Sequence, residues 1–342
     1  MTYAAVLCGL GAWLPPRVVV NDDLPAGLNT TDEWIRTRTG IRQRHVAGPG
    51  MATSDLAVEA GARALKSSGE PLVDAVLVAT TTPDRVCPAT APEVATRLGL
   101  SGAAAFDIAA VCTGFIYGLG CAAGLISAGV AGRVLLIGAE TYSSILNPLD
   151  RGTAMIFGDG AGAVVLRAGE PAEPGALGPF DLGSDGHGSD LISVPGGGSR
   201  QRLSNLPESA MSRYFTMAGR EVFQHAVLRM AASSHAVLQR AGWQVVDVDR
   251  LVAHQANIRI LYQLADHMRI DRGRIVSNID RVGNTAAASI PLALAHGVVE
   301  GTVQPGHRTL LTAFGGGLTW GSTLLTWPGL TLCDPPAHGT DR

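Results

Sequence analysis

Phe106-Asp-Ile-Ala-Ala-Val-Cys112-Thr-Gly-Phe115 is the stretch from which the fold of this chain can be read. A strand-like run ends in it, a Gly/Ala-rich helical pattern begins, and a cysteine stands at the junction. A thiol at a helix N-terminus gains thiolate character from the helix dipole and the free backbone amides. The competing reading is a buried structural cysteine, which Cys8 and Cys121, inside apolar stretches, fit better.

On either side of this stretch, strands and helices alternate. Ala75–Ala79, Val134–Gly138, Leu251–Ala253 and Thr309–Thr312 are short apolar runs, the pattern of strands covered on both faces. Helical spacing runs from Asp55 to Leu65, after a Thr53/Ser54 cap candidate, and through Ile258, Leu261, Tyr262, Ala265 and Met268. The chain also repeats itself. Asp74-Ala-Val-Leu-Val-Ala matches Asp249-Arg-Leu-Val-Ala, and Arg133-Val-Leu-Leu-Ile matches Arg308-Thr-Leu-Leu-Thr, both at the same offset (249 − 74 = 308 − 133 = 175). Cys112 and Asn284 stand at nearly that offset (284 − 112 = 172), which places them at equivalent helix N-termini of two related halves.

Composition sets the bounds. Of 342 residues 46% are hydrophobic and 16% charged, enough for a large core. The net charge of −3 leaves no basic footprint for nucleic acid. Met1 to Val20 lacks a basic n-region and reads as a first buried strand. Thr113 to Ala131 is Gly-studded and reads as a buried helix, so no membrane span is expected. The five cysteines are scattered without a CxxC pair, which points to a reducing cytoplasm and away from disulfides or zinc. No two histidines have metal-ligand spacing. We expect residues 1–170 to form one half, 171–213 a Gly/Pro/Ser-rich linker with surface loops, 214–330 the second half, and 331–342 a tail.

His254 follows the run Leu251-Val-Ala, and the carboxyl end of a strand in an α/β sheet is where active-site crevices open. Asn284 can either act there or simply cap its helix. Gly158-Asp-Gly-Ala-Gly runs into a strand, and Gly9-Leu-Gly-Ala-Trp runs toward Pro15-Pro16. A dinucleotide fingerprint must open a helix, so a nicotinamide oxidoreductase is the poorer reading. Phe314-Gly-Gly316-Gly differs: consecutive glycines let backbone amides approach an oxyanion.

Together these segments resemble β-ketoacyl-[acyl-carrier-protein] synthase III, an initiating condensing enzyme of the thiolase-like group, from Ala5 to Thr326. The motifs stand in the family's order: Thr31-Asp-Glu-Trp34-Ile…Arg38-Thr-Gly-Ile, Ala110-Val-Cys112-Thr-Gly-Phe, Asp150-Arg151-Gly-Thr, Phe157-Gly-Asp-Gly-Ala-Gly-Ala, His254-Gln-Ala-Asn257-Ile-Arg259, Gly283-Asn284-Thr-Ala-Ala-Ala-Ser, and Ala313-Phe314-Gly-Gly316-Gly-Leu-Thr-Trp-Gly. The resemblance implies an α/β thiolase-like fold of two pseudo-symmetric halves, layered α-β-α-β-α. It implies a catalytic set of Cys112, His254 and Asn284, with the amides of Cys112 and Gly316 as oxyanion hole.

By the same resemblance Trp34 and Arg151 stack on the adenine of CoA. Arg38, Gly219, Phe223, Asn257, Arg259 and Phe314 line the path of CoA, pantetheine and carrier protein. Cys87, Met155 and Leu191 border the acyl pocket, Cys87 reaching it from the partner of a homodimer. Cys87 replaces a frequent Phe, and Asp266, His267 and Gln224 replace basic residues that dock the acidic carrier. Acyl-CoA and malonyl-ACP enter as substrates, and no metal or organic cofactor is expected. The rival within the fold is an acyltransferase of secondary metabolism that loads Cys112 and passes the group on without condensation.

Overall fold

The computed structural model describes residues 3–204 and 209–333. Of the expected tail, 334–342 lie outside the described residues. Two mixed sheets carry the chain. The first has five strands, ordered Ala4–Trp13, Gly160–Gly169, Arg133–Glu140, Ala75–Ala79, Ala104–Ile108. The second has four, ordered Asp181–Ser184, Thr319–Thr326, Arg308–Gly315, Arg250–Ala253.

Taken in this direction the two sheets repeat one pattern: an antiparallel pair, a second antiparallel pair, then a parallel pair. Register repeats as well. Ala75 pairs with Val134 and Arg250 with Thr309, again at one offset (250 − 75 = 309 − 134 = 175). The duplication expected from short matching runs is thus real. One boundary moves, because Asp181–Ser184 is the counterpart of Ala4–Trp13. The second half therefore begins inside the segment 171–213 expected to be linker.

Strand alternation sorts the core into layers. Leu77, Leu136 and Val164 of the first sheet and Val252, Leu311 and Leu325 of the second face inward. Between them lie two central helices, Gly114–Ser127 and Ser289–Val299, which contribute Phe115, Ile116, Leu119, Ile290, Leu292 and Leu294. The two sheets cover Ser289–Val299 almost wholly and the buried stripe of Gly114–Ser127, whose Cys121, Gly124 and Ser127 stay exposed. The outward residues Val76, Val78, Leu135 and Ile137 pack on Leu56, Ala60 and Ala64 of the helix Thr53–Ser68. On the far side Leu251, Leu310 and Leu324 pack on Val222, Ala226 and Met230 of Gly219–Ala241 and on Leu261 and Leu264 of Ile258–Met268. The result is helix, sheet, helix, sheet, helix.

The cap of Thr53–Ser68 differs from expectation. Ala52 is the N-cap, its N–H donating to Asp55 at 2.8 Å, while Thr53 Oγ lies 2.8 Å from Thr141 Oγ. A threonine inside the core serves tertiary contacts before its own helix end.

Close approach of that helix to the first strand tests the packing. A Cβ on Gly11 would land on the backbone of Ala60 and Ala64. Gly11→Ala is expected to cost about 2–3 kcal/mol in urea unfolding, the range of overpacked cores. Gly124, in the first central helix with nothing within 4 Å of such a Cβ, is the control. Gly124→Ala should be neutral or stabilise by up to about 1 kcal/mol.

Candidate active site

The first central helix is entered through a 3-10 turn, Val111–Thr113, and Val111 has φ +46°. A β-branched residue in left-handed space costs roughly 1–3 kcal/mol and persists only where its surroundings hold it. The turn places Cys112 between the two sheets, 7% exposed. Against it lies the end of Arg308–Gly315. A Cβ on Gly315 would sit 2.9 Å from the Cys112 amide nitrogen and 3.1 Å from its Cβ, so only glycine leaves Cys112 in place.

The second central helix is entered through the same device. Ala286–Ala288 is a 3-10 turn, and Ala286 has φ +44°. Val111 and Ala286 stand at the offset that relates the strands (286 − 111 = 175). The counterpart of Cys112 is therefore Ala287, and Asn284 precedes the turn instead of occupying the equivalent helix start. The pairing of Cys112 with Asn284 expected from sequence is three positions out of register.

Asn284 is fixed from two sides. Its N–H donates to Ile156 O at 2.9 Å and its carbonyl accepts from Gly158 N–H at 3.0 Å. Its side-chain Oδ1 accepts from Ala286 N–H at 2.9 Å, leaving Nδ2 as the donor of the amide. Asn284 is not the N-cap of either following helix; its Oδ1 ties down the start of the 3-10 turn, and the residue lines the cavity. His254 follows Arg250–Ala253, and its Nδ1 lies 2.7 Å from Ser289 Oγ, which also accepts from Gln255 N–H at 3.3 Å.

Cys112, His254 and Asn284 line one cavity, together with Phe157, Ile192, Phe215, Met217, Val222, Met230 and Phe314. Its volume is about 30 Å³, room for little more than a water or two. Tyr142 stacks on Phe157 at 4.4 Å, and both meet Phe215 edge-on, forming a rigid aromatic wall.

Electrostatically the site is poor in charge. Burial lowers the His254 pKa to about 3, so the ring is neutral throughout the working range. Burial, and then the charge of Glu140, push the Cys112 thiol well above its ordinary value, while its own amide pulls the other way. The expectation of thiolate character is corrected: desolvation exceeds what the helix start supplies, and the resting group is a thiol.

The other expected residues fall into three groups. Phe314 and Gly316 end the strand beside Cys112 and are buried. Gly219 and half-buried Phe223 open the outer helix behind the cavity, where Phe223 packs on the same core as the cavity wall. Asn257 caps Ile258–Met268 by accepting from Arg259 N–H at 2.9 Å, and the Arg259 side chain is exposed. Trp34, Arg38 and Arg151 meet at the surface, with the Arg151 guanidinium 4.2 Å and that of Arg38 5.5 Å from the Trp34 ring centre.

The acyl-pocket residues are not gathered at one place. Met155 packs with Ile35, Ile41 and Ile279 in a separate cluster, away from the cavity, because its carbonyl is tied to the Arg44 guanidinium at 2.6 Å. Leu191 is half-buried beside Ile192, and Cys87 is exposed on a surface loop. Sequence reasoning did not single out Ser289, Glu140 or the aromatic wall. For Glu140 the signal was a lone carboxylate closing an apolar strand. Among the described residues no group of three or more His, Cys, Asp or Glu side chains is placed to hold a metal.

A cysteine at a strained turn thus shares one cavity with a buried neutral histidine and an oriented asparagine amide, between duplicated sheets. The family model 3-Oxoacyl-[acyl-carrier-protein (ACP)] synthase III matches residues 106–186, and its C-terminal counterpart residues 238–327. Beta-ketoacyl-[acyl-carrier-protein] synthase III 3 of Streptomyces coelicolor is 62% identical over 330 residues, covering 96% of this chain and 98% of that protein. The crystal structure of 3-oxoacyl-(acyl carrier protein) synthase III from Pseudomonas aeruginosa PAO1 superposes with a TM-score of 0.89 at 53% identity, covering 96% of this chain and 99% of that one. The priming β-ketosynthase of the R1128 polyketide pathway gives 0.88 at 32% identity, with 98% of each chain covered. This chain belongs to the β-ketoacyl-[acyl-carrier-protein] synthase III family.

The neutral histidine has a pH signature. A folded pKa near 3 against 6.5 in the open chain means the unfolded state binds the extra proton between those values. Stability from this group is therefore present above about pH 6.5 and lost as pH falls toward 3. The expected result is a His254 ring that shows no titration from about pH 8 down to 4 by nitrogen NMR. A midpoint near 6 would show that the ring is solvated.

Proposed function

We propose that this enzyme carries out decarboxylative condensation through an acyl group on Cys112, at the start of a fatty acid or polyketide chain. One observation carries the proposal. Cys112, His254 and Asn284 line one largely apolar cavity in which, among the described residues, Cys112 and His254 are the only titratable side chains.

In the first half-reaction the Cys112 sulfur attacks the thioester carbonyl of an acyl-CoA. The carbonyl oxygen becomes an oxyanion held by the amides of Cys112 and Gly316. The carbon–sulfur bond to CoA breaks, and the thiol proton leaves with the CoA sulfur. In the second, the malonyl group of malonyl-ACP takes the place that CoA has left. Ser289 Oγ–H donating to Nδ1 leaves the His254 proton on Nε2, so His254 and Asn284 both donate to the malonyl thioester oxygen. Loss of CO₂ then gives an enolate that these two neutral donors stabilise. Its carbon attacks the acyl-Cys112 carbonyl, β-ketoacyl-ACP forms, and the released thiolate takes a proton. A neutral pair suits this step, because a fixed positive charge would bind the malonyl carboxylate instead of letting it depart.

CoA enters past Trp34 and Arg151, where adenine either displaces Arg151 from the indole or stacks on the free side of the pair. The working unit is a homodimer. Ala104–Ile108 is an unpaired sheet edge, Phe106 on it is 39% exposed, and Val86 beside Cys87 is 79% exposed. The loop holding Arg85 and Val86 borders a cleft of about 420 Å³ that reaches Val111, next to Cys112. In the dimer this loop from the partner closes the acyl end. The cytoplasm is the compartment that suits five free cysteines. Among the described residues no helix is long and apolar enough to cross a membrane.

Cys112→Ser should keep the fold and abolish acyl transfer, with the acyl mass increment mapped to the Cys112 peptide in the unmutated enzyme. His254→Ala and Asn284→Ala should retain acylation and lose about 10²–10³ in condensation rate. Release of CO₂ from malonyl-ACP separates condensation from simple transfer, and normal β-ketoacyl product from Asn284→Ala would refute its role.

Primer size follows from Cys87. A Cys where a Phe is frequent leaves room, and each buried CH₂ adds about 0.8 kcal/mol, roughly fourfold. Isobutyryl- and hexanoyl-CoA should compete with acetyl-CoA in kcat/KM, and Cys87→Phe should restore preference for acetyl. An unchanged ranking removes Cys87 as the selector.

A further inference from the structure

Among the described residues Arg44 is the only buried arginine or lysine, 1% exposed. Taking a guanidinium out of water is costly unless an opposite charge meets it. Here its partners are two carbonyls and a side-chain amide. Nη1 donates to Val19 O at 3.2 Å, and Nη2 donates to Asn21 Oδ1 at 2.9 Å and to Met155 O at 2.6 Å, while Nε stays unpaired. The carboxylate of Asp32 enters only at one remove, accepting from Asn21 Nδ2 at 2.8 Å.

What this arginine grips lies next to Asn284. Met155 opens the segment 155–158, and Phe157 within it forms a parallel bridge with Asn284, closed by Asn284 N–H to Ile156 O and Gly158 N–H to Asn284 O. The aliphatic stem of Arg44 backs the same bridge. A Cβ on Gly158 would stand 3.0 Å from the Arg44 Cβ, and one on Gly283 3.3 Å, so the two glycines beside the bridge are where the arginine packs. Its own base is firm, because Arg44 pairs with Val19 in the antiparallel strands Arg17–Val20 and Gln43–Val46. None of its hydrogen bonds goes to the turn of Cys112, to Gly316 or to His254.

We infer that Arg44 is a positioning residue for condensation: its buried fork and stem fix the segment from which the Asn284 backbone hangs, and so aim the Asn284 amide without touching the acylation side of the site. A charged donor holds carbonyl oxygens more firmly than a neutral one, and a planar fork joins several acceptors that an ammonium cannot serve together. The segment is tied again at its far end, where Asp159 N–H donates to His45 O at 2.8 Å. Loss of Arg44 therefore loosens the bridge and leaves the chain path intact.

The inference rests on Asn284 serving condensation, and the experiment keeps the two apart. Acylation of Cys112 by acetyl- or isobutyryl-CoA, whichever loads faster, is followed by intact mass, and product formation is timed separately from acylated enzyme mixed with malonyl-ACP. In Arg44→Met acylation should stay within about twofold, while condensation falls about 10²-fold, the effect of an ångström of misplacement. In an Asn284→Ala background the same change should cost no more than about twofold further, because the two residues act as one unit. Equal losses in both half-reactions, or a full second loss in the double variant, overturn the inference. Arg44→Lys keeps charge and stem without the fork, and covers the case in which the Met variant does not fold. It should lose about threefold to tenfold in condensation alone, and undiminished condensation overturns the role of the fork. Hydrogen–deuterium exchange reads the brace without the reaction. In Arg44→Lys the amides of Gly158 and Asn284 should exchange about tenfold faster, with the helix Thr53–Ser68 unchanged. Unchanged exchange at those two amides overturns the brace. Normal condensation by Asn284→Ala would instead refute the role proposed for Asn284, and exchange alone then decides whether Arg44 holds it.

Discussion

Everything in this enzyme depends on two apolar helices lying face to face between two sheets. Ser289–Val299 is buried along nearly its whole length, and Gly114–Ser127 is buried through its first turns, while Cys121, Gly124 and Ser127 reach the surface. Their N-termini must therefore be entered from within the sandwich. The chain does this with a short 3-10 turn whose first residue has positive φ, once at Val111 and once at Ala286. The strain at these positions is held by packing on both sides, and it turns the amide of the following residue toward the end of a strand. Catalytic position is thus a by-product of burying a helix. Glycine at 315 is what lets a strand end come this close to the Cys112 amide.

The same burial sets the chemistry. A buried, largely apolar site favours neutral groups, so the thiol stays protonated and the imidazole stays unprotonated. Reactivity then has to come from hydrogen-bond donors fixed in advance. Ser289 orients His254, Ala286 orients Asn284, and the Ile156–Gly158 segment holds the Asn284 backbone. Such donors cost little reorganisation as charge develops, which is the condition under which electrostatic stabilisation is strongest.

Much of this was legible in the sequence, and the limits have physical causes. Apolar runs recurring at one common offset revealed the duplicated halves, because a strand buried on both faces must be apolar wherever it recurs. The position of Cys112, His254 and Asn284 at strand and helix ends marked the site. The register of Asn284 was misread because its turn contains three consecutive alanines, which give no local mark of where the 3-10 turn begins. Asp181–Ser184 was hidden in a Gly/Pro/Ser-rich segment, since a four-residue edge strand with half-exposed side chains has no hydrophobic signature. Met155 was misplaced because side-chain direction there follows the grip of Arg44 on its carbonyl, a contact between segments far apart in the chain.

The shared central layer also governs how the chain is made. The first central helix leaves the ribosome with apolar residues on every face, and one face is covered by the first sheet soon after Gly169 is complete. Its other cover, Arg308–Gly315 and Thr319–Thr326, is synthesised much later. Until then the nascent first half is a sheet and its outer helix Thr53–Ser68 with one uncovered apolar side. Pairings this far apart in sequence close slowly and leave such intermediates exposed to aggregation. Small residues soften that liability: Gly118, Gly120, Ala122, Ala123 and Gly124 make the waiting helix low in bulk as well as high in hydrophobicity. A nascent chain of this design is a client for chaperones until its second half arrives.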